Sequence, residues 1–151
     1  LDRCIEDNLV REALMDCIWT ARMEEVADDI YVDGAHNEEA IEAFTDTVSV
    51  LYNDKDVYIL FAVASDKEYD SMVKLLCTRI DIKEVIITAI EGGRTTPVEK
   101  VAELFKKYRC NNIKTDNDIE SSYLYASSLV DEHSRLFCVG SLYLAGKLES
   151  L

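Results

Sequence analysis

Apolar positions along the chain alternate between helical spacing and short continuous runs. Ile5, Leu9, Ala13 and Cys17 stand four apart, which predicts an opening helix over Ile5–Cys17. Trp19 to Glu25 reads as a connection or an edge strand, and Ile30 to Asp33 as a first strand. Ile41, Phe44, Val48 and Leu51 then recur three and four apart, the buried stripe of a helix that Asn53 and Asp54 end. Val57 to Val63 is a near-continuous apolar run, the pattern of a strand covered on both faces.

The alternation continues to the end of the chain. Tyr69, Met72, Val73, Leu76 and Ile80 mark a helix, and Val85 to Ala89 a strand. Pro97 suits the first turn of a helix burying Val98, Val101, Ala102 and Phe105. Ile113 to Thr115 is a short strand. Asp116 or Asp118 caps a helix burying Ile119, Tyr123, Ala126 and Val130. Arg135 to Val139 is the last strand, and Leu142 to Leu151 the last helix. Parallel strands need crossover connections, and helices between successive strands supply them. The predicted fold is therefore α/β: three layers, a mostly parallel sheet with helices on both faces. One Pro, no low-complexity tract and no change of composition predict a single domain over 1–151.

Composition narrows the classes. The 151 residues are 48% hydrophobic and 30% charged, the balance of a globular domain. No apolar run approaches the length of a membrane span. The formal net charge of −14 argues against nucleic acid, which needs a basic face. Cys4, Cys17, Cys77, Cys110 and Cys138 are scattered, odd in number and without zinc-site spacing, which fits a reducing cytoplasm. Cys138 falls inside an apolar strand, where a thiol serves as a small hydrophobe. The chain opens on Leu1 in a charged segment rather than on Met, as a piece of a longer protein would.

Two polar strings stand where a strand ends and a helix begins: Asp33-Gly34-Ala35-His36-Asn37 and Gly140-Ser141-Leu142-Tyr143-Leu144. Ligands of open α/β sheets bind at that edge. Asp33 can accept from hydroxyls or an amine, and His36 can donate to an anionic oxygen. Asp, Gly and Asn are equally the usual turn and cap formers, Asn37 above all. Ser141 can cap the last helix, whose N-terminus favours a carboxylate or phosphate, and Gly140 lets a ligand approach the backbone. The Arg22 guanidinium suits phosphate or carboxylate, though a surface ion pair is the commoner use. Lys67 and Arg94 fall in loops at the same edge.

Taken together these strings resemble one family, the C-terminal domain of folylpolyglutamate synthase and dihydrofolate synthase within the Mur ligase group. Asp33 to Asn37 and Gly140 to Leu144 match its two C-terminal motifs. Trp19 to Glu24 is similar to its Trp-Pro-x-Arg-x-Glu segment, and Phe61 to Tyr69 to its Phe-Gly…Asp-Lys-Asp stretch, in the same order. Thr20 replaces the usual Pro, Ala62 the usual Gly, and Glu38 the Pro that commonly follows Asn.

The resemblance implies a Rossmann-like domain of an ATP-dependent amide ligase that joins L-glutamate to dihydropteroate or folate. It implies that Arg22 and Asp33 contact ATP, at the phosphates and ribose respectively. His36 and Ser141 would hold glutamate, with Asn37, Lys67, Arg94 and Gly140 in support. It places ATP and Mg2+ mainly on a preceding ATPase domain, since no Gly-x-x-x-x-Gly-Lys-Ser/Thr loop, metal cluster or catalytic residue is evident here. A monomer inactive without that domain is expected. The competing expectation is a non-catalytic flavodoxin-like or receiver-like module, which the strand–helix alternation alone allows.

Overall fold

The computed structural model describes residues 20–90, 92 and 95–151. The opening helix expected over Ile5–Cys17, together with Trp19 and Arg94, lies outside the described residues. Six strands form one sheet: β1 (Glu24–Ala27), β2 (Ile30–Val32), β3 (Asp56–Phe61), β4 (Ile82–Thr88), β5 (Ile113–Asp116) and β6 (Ser134–Val139). The helices are α1 (Glu38–Leu51), α2 (Tyr69–Arg79), α3 (Val98–Lys107), α4 (Ile119–Ser127) and α5 (Leu142–Leu148). Strand order is β1-β2-β6-β3-β4-β5, all parallel except β1, which pairs antiparallel with β2 at the edge.

The apolar runs read as central strands because side chains alternate between two cores. In β3, Val57, Ile59 and Phe61 face one core and Leu60 faces the other. In β6, Phe137 and Val139 face the first and Leu136 and Cys138 the second. The first core is roofed by α1, α2 and α3, through Ile41, Phe44, Val48, Met72, Leu76, Val101 and Phe105. The second is roofed by α4 and α5, through Ile119, Ala126, Leu144 and Leu148. The Cys138 thiol is fully enclosed, and burial alone pushes its pKa up, as for an inert small hydrophobe.

Several boundaries differ from the sequence pattern. Leu51, on the apolar stripe of α1, is 62% exposed. The helix ends there, and the next residue, Tyr52, turns back to pack against Tyr31 and Phe137 at ring distances of 5.4 and 5.3 Å. Tyr52, itself half-buried, thus makes the core contact expected of Leu51. Leu51→Lys is accordingly expected to change stability by less than about 0.5 kcal/mol, as measured by urea unfolding. Strand β4 begins three residues before Val85: Ile82 pairs with Val57 and Glu84 with Tyr58, with Lys83 bulged between them, and the polar Lys83 and Glu84 break the apolar run. Tyr123 is only half-buried and α4 ends at Ser127, before Val130; α5 ends at Leu148, before Leu151. Asp118, not Asp116, caps α4, its carboxylate accepting from Ser121 N–H at 2.7 Å.

Candidate functional site

The topology itself makes a crevice. Connections leaving β2 and β3 pass to α1 and α2 on one face, whereas the connection leaving β6, which lies between them, passes to α5 on the other. Loops diverging to opposite faces beside neighbouring strands leave a gap at the carboxyl edge of the sheet. A cavity of about 130 Å³ opens there, lined by His36, Ala64, Asp66, Lys67, Gly140, Ser141, Leu142 and Tyr143. Pockets for drug-sized ligands run to roughly 300–1,000 Å³, so this one suits a molecule the size of an amino acid.

Each lining group is positioned by its local structure. His36 Nδ1 lies 2.8 Å from the Gly34 carbonyl oxygen, which can only accept. Nδ1 is therefore the protonated nitrogen and donates, leaving Nε2 for a ligand: an acceptor when the ring is neutral, a donor when it is charged. Ser141 is the N-cap of α5, its hydroxyl oxygen accepting from Tyr143 N–H at 3.1 Å. That cap uses a lone pair and not the hydroxyl proton, which stays a donor. Gly140 sits at φ +108°, and a Cβ there would lie 2.5 Å from the Ala62 carbonyl oxygen. Only glycine turns β6 into α5 this closely over β3. Lys67 N–H donates to Ala64 O at 3.2 Å, a tight turn that puts the lysine on the cavity wall.

Asp33 and Arg22 form a second, adjoining cluster. Asp33 is 7% exposed, with Oδ1 accepting from Ala35 N–H at 2.8 Å and Oδ2 from Met23 N–H at 2.9 Å. Burial raises its pKa, and these two hydrogen bonds and the nearby Arg22 guanidinium offset that only in part. Arg22 is exposed on a turn whose flanking residues, Ala21 and Met23, have φ of +55° and +48°. Such left-handed backbone at non-glycine residues persists only where surroundings over-determine it. Here the Ala21 carbonyl accepts from Gly34 N–H at 2.7 Å, and Ala21 N–H donates to Glu24 Oε2 at 2.7 Å. A Cβ on Gly34 would come within 2.6 Å of Leu142 Cδ2, so the two polar strings pack directly on each other.

Of the residues expected from sequence, His36, Lys67, Gly140 and Ser141 share one cavity. Arg22 and Asp33 are electrostatic neighbours beside it and do not line it. Asn37 is the N-cap of α1, accepting from Ala40 N–H at 2.9 Å, which is the ordinary turn-and-cap role. Asp66, Leu142 and Tyr143 line the cavity without having been assigned a role from sequence, although they stand inside the strings quoted above. Among the described residues no group of three or more His, Cys, Asp or Glu could hold a metal ion, and no helix is long and apolar enough to cross a membrane.

A carboxyl-edge cavity with a histidine, a capping serine and a lysine defines a class that comparison with known proteins identifies. Residues 21–142 match the family model described as Mur ligase, glutamate ligase domain, and the chain belongs to that family. That membership displaces the receiver-like and flavodoxin-like expectation.

Among relatives, it is 34% identical over 143 residues to the dihydrofolate synthase/folylpolyglutamate synthase of Bacillus subtilis, covering 92% of this chain and 32% of that protein. In fold it is similar to E. coli FolC in complex with DHPP and ADP (TM-score 0.84, 18% identity, 99% of this chain and 35% of that one). It is likewise similar to the bifunctional folylpolyglutamate synthase/dihydrofolate synthase of Yersinia pestis complexed with AMPPNP and Mn ion (TM-score 0.81, 17% identity, 99% and 35%). The chain thus spans about a third of the length of these relatives.

Proposed function

We propose that this chain is the amino-acid-binding domain of an ATP-dependent ligase that joins L-glutamate to dihydropteroate or folate. The observation that carries the reading is that His36, Lys67 and Ser141 line one cavity of amino-acid size in a member of the glutamate ligase domain family. A carboxylate is a poor electrophile, and a nucleoside triphosphate supplies the phosphoryl group that turns it into an acyl phosphate. The glutamate amine then displaces phosphate to form the amide. What this domain contributes is positioning and exclusion of water from the activated acyl group.

Within that reading, Lys67 offers a point charge to one glutamate carboxylate, and the Ser141 hydroxyl donates to a carboxylate oxygen. His36 Nε2 accepts from the ammonium group or, when protonated, donates to a carboxylate; Gly140 leaves the backbone open to approach. Arg22 and Asp33 face the nucleotide, the guanidinium toward phosphate. The ribose takes the lone pairs that Met23 and Ala35 leave on Asp33. In this reading the nucleotide and its Mg2+ are held mainly by a preceding ATPase domain, and the amino-acid-binding domain closes over them. The protein acts in the cytoplasm and as a monomer.

In the full-length protein, His36→Ala and Ser141→Ala should each raise KM for L-glutamate about tenfold, the worth of roughly one hydrogen bond to a charged group. KM for ATP should move by less than about twofold. Steady-state kinetics decide it, and unchanged glutamate kinetics in both variants removes the assignment. The 151-residue chain alone should release no phosphate from ATP in the presence of folate and glutamate. Turnover by that chain would refute the dependence on a second domain.

A further inference from the structure

The turn that carries Arg22 is held from two directions, and Glu24 supplies the hold that comes from its own strand. Arg22 stands between Ala21 and Met23, whose φ values of +55° and +48° are both left-handed. Neither is glycine, so each conformation costs free energy that the short segment by itself has no means to offset. Two holds come from the end of β2: Met23 N–H donates to Asp33 Oδ2 at 2.9 Å, and Gly34 N–H donates to the Ala21 carbonyl at 2.7 Å. The third is the half-buried Glu24, the first residue of β1. Its side chain reaches back three residues, and Oε2 accepts from Ala21 N–H at 2.7 Å. The N–H of the buried Ala21 is thus tied to Glu24 and its C=O to Gly34, which fixes the peptide groups on both sides of that residue. The Glu24 backbone is registered in the sheet opposite Val32, so its side chain fastens the turn directly to the ladder.

We propose, on the reading that Arg22 faces the nucleotide, that Glu24 is a positioning residue for ATP: its bond to Ala21 N–H holds the left-handed turn that presents Arg22 to the phosphates. A guanidinium meets phosphate as a rigid fork, and the place it can reach is set by where the Arg22 backbone sits. A turn that relaxes out of the left-handed region carries that backbone away, and a shift of about 1 Å at a positioning group can cost about a hundredfold. The holds from Asp33 and Gly34 remain when Glu24 is changed, so the loss is smaller than that limit. What the role requires is an acceptor oxygen at the end of a side chain of this length, not a negative charge. Gln places an amide oxygen at the same reach, whereas Ala leaves the Ala21 N–H unpaired and Asp stops one methylene short of it.

The test is a double-mutant cycle in the full-length protein, read by steady-state kinetics for ATP and for L-glutamate. Glu24→Ala should raise KM for ATP about tenfold and KM for L-glutamate by less than about twofold. Glu24→Gln should bring KM for ATP back to within about threefold of wild type. Adding Glu24→Ala to Arg22→Ala should leave KM for ATP within about twofold of Arg22→Ala alone, because a residue that acts through another contributes nothing once the other is gone. Glu24→Asp keeps the charge without the reach and carries the same expectations as Glu24→Ala, so it decides the matter if the alanine variant does not fold. Additive losses in the double variant, no recovery with Gln, or an unchanged KM for ATP in Glu24→Ala and Glu24→Asp while Arg22→Ala raises it would each overturn the role of Glu24 and leave Arg22 at the nucleotide. An unchanged KM for ATP in Arg22→Ala would instead overturn the placement of Arg22, and the role of Glu24 with it.

Discussion

Gly140→Ala is expected to cost the folded domain about 3–4 kcal/mol, which for a domain of this size lowers Tm by about 10 °C. Two penalties combine. The backbone at φ +108° is one that L side chains rarely adopt, and the added Cβ would sit 2.5 Å from the Ala62 carbonyl oxygen and 2.6 Å from Phe61 Cε2. Neither neighbour can yield: Ala62 is backbone at the end of a central strand, and Phe61 is wholly buried against Phe105 at a ring distance of 5.5 Å. Gly92→Ala separates the terms, since Gly92 has φ +102° with nothing within 4 Å. It should cost only about 1–2 kcal/mol, the conformational part alone. Urea unfolding of both variants checks the pair, and equal losses would mean that contact with β3 contributes nothing.

Asp33→Ala is expected to cost about 2–4 kcal/mol, because it strands the N–H groups of Met23 and Ala35 in a buried corner. It also removes the anchor of the strained turn carrying Arg22, so in the full-length protein KM for ATP should rise with the loss of stability. Asp33→Asn removes the titration but also one of the two hydrogen bonds, since an amide has a single acceptor oxygen, so the pH dependence and not the absolute loss reports on the charge. Burial raises the folded-state pKa of Asp33 above its unfolded value, so between those values the folded state binds the extra proton. Stability contributed by this group is then greatest at low pH and falls as pH rises from the ordinary carboxylate range through the folded pKa, becoming constant above it. The difference in unfolding free energy, wild type minus Asp33→Asn, should decline over that window and then level. A difference that increases with pH there would mean that hydrogen bonding outweighs burial at this carboxylate.

The layered fold was legible because strands buried on both faces leave continuous apolar runs, as at Val57–Val63 and Arg135–Val139, and helices between them leave a period of three to four. Where an element is covered on one side or not at all, that signal fades. Strand β1 pairs with one neighbour only, and the start of β4 carries an exposed Lys83 and a half-buried Glu84 that accepts from the Tyr125 hydroxyl. Leu51 kept the helical period to the end and still faces water, because the period says nothing about where the sheet beneath stops.

The site was legible where the chemistry requires a particular backbone: glycine at a left-handed turn, serine at a cap, histidine just beyond a strand. It was not legible where a residue matters by position alone. Leu142 and Tyr143 form the cavity wall through the course of α5, and nothing in their composition marks them. The double bonding of the Asp33 carboxylate depends on the return path of Arg22's turn, which no local pattern encodes.

The strand order has a consequence for how the polypeptide comes to exist. β6 follows the other five described strands in chain order and is the one that joins β2 to β3. Until residue 139 has emerged, the nascent chain holds a short hairpin on one side and a three-stranded half-sheet on the other, each with a naked apolar border facing the gap. Such borders recruit other strands readily. Nearly all of the described domain must therefore be synthesised before its two halves can close, and a chain that stopped before Ser134 would hold two sticky halves rather than a slightly shorter protein.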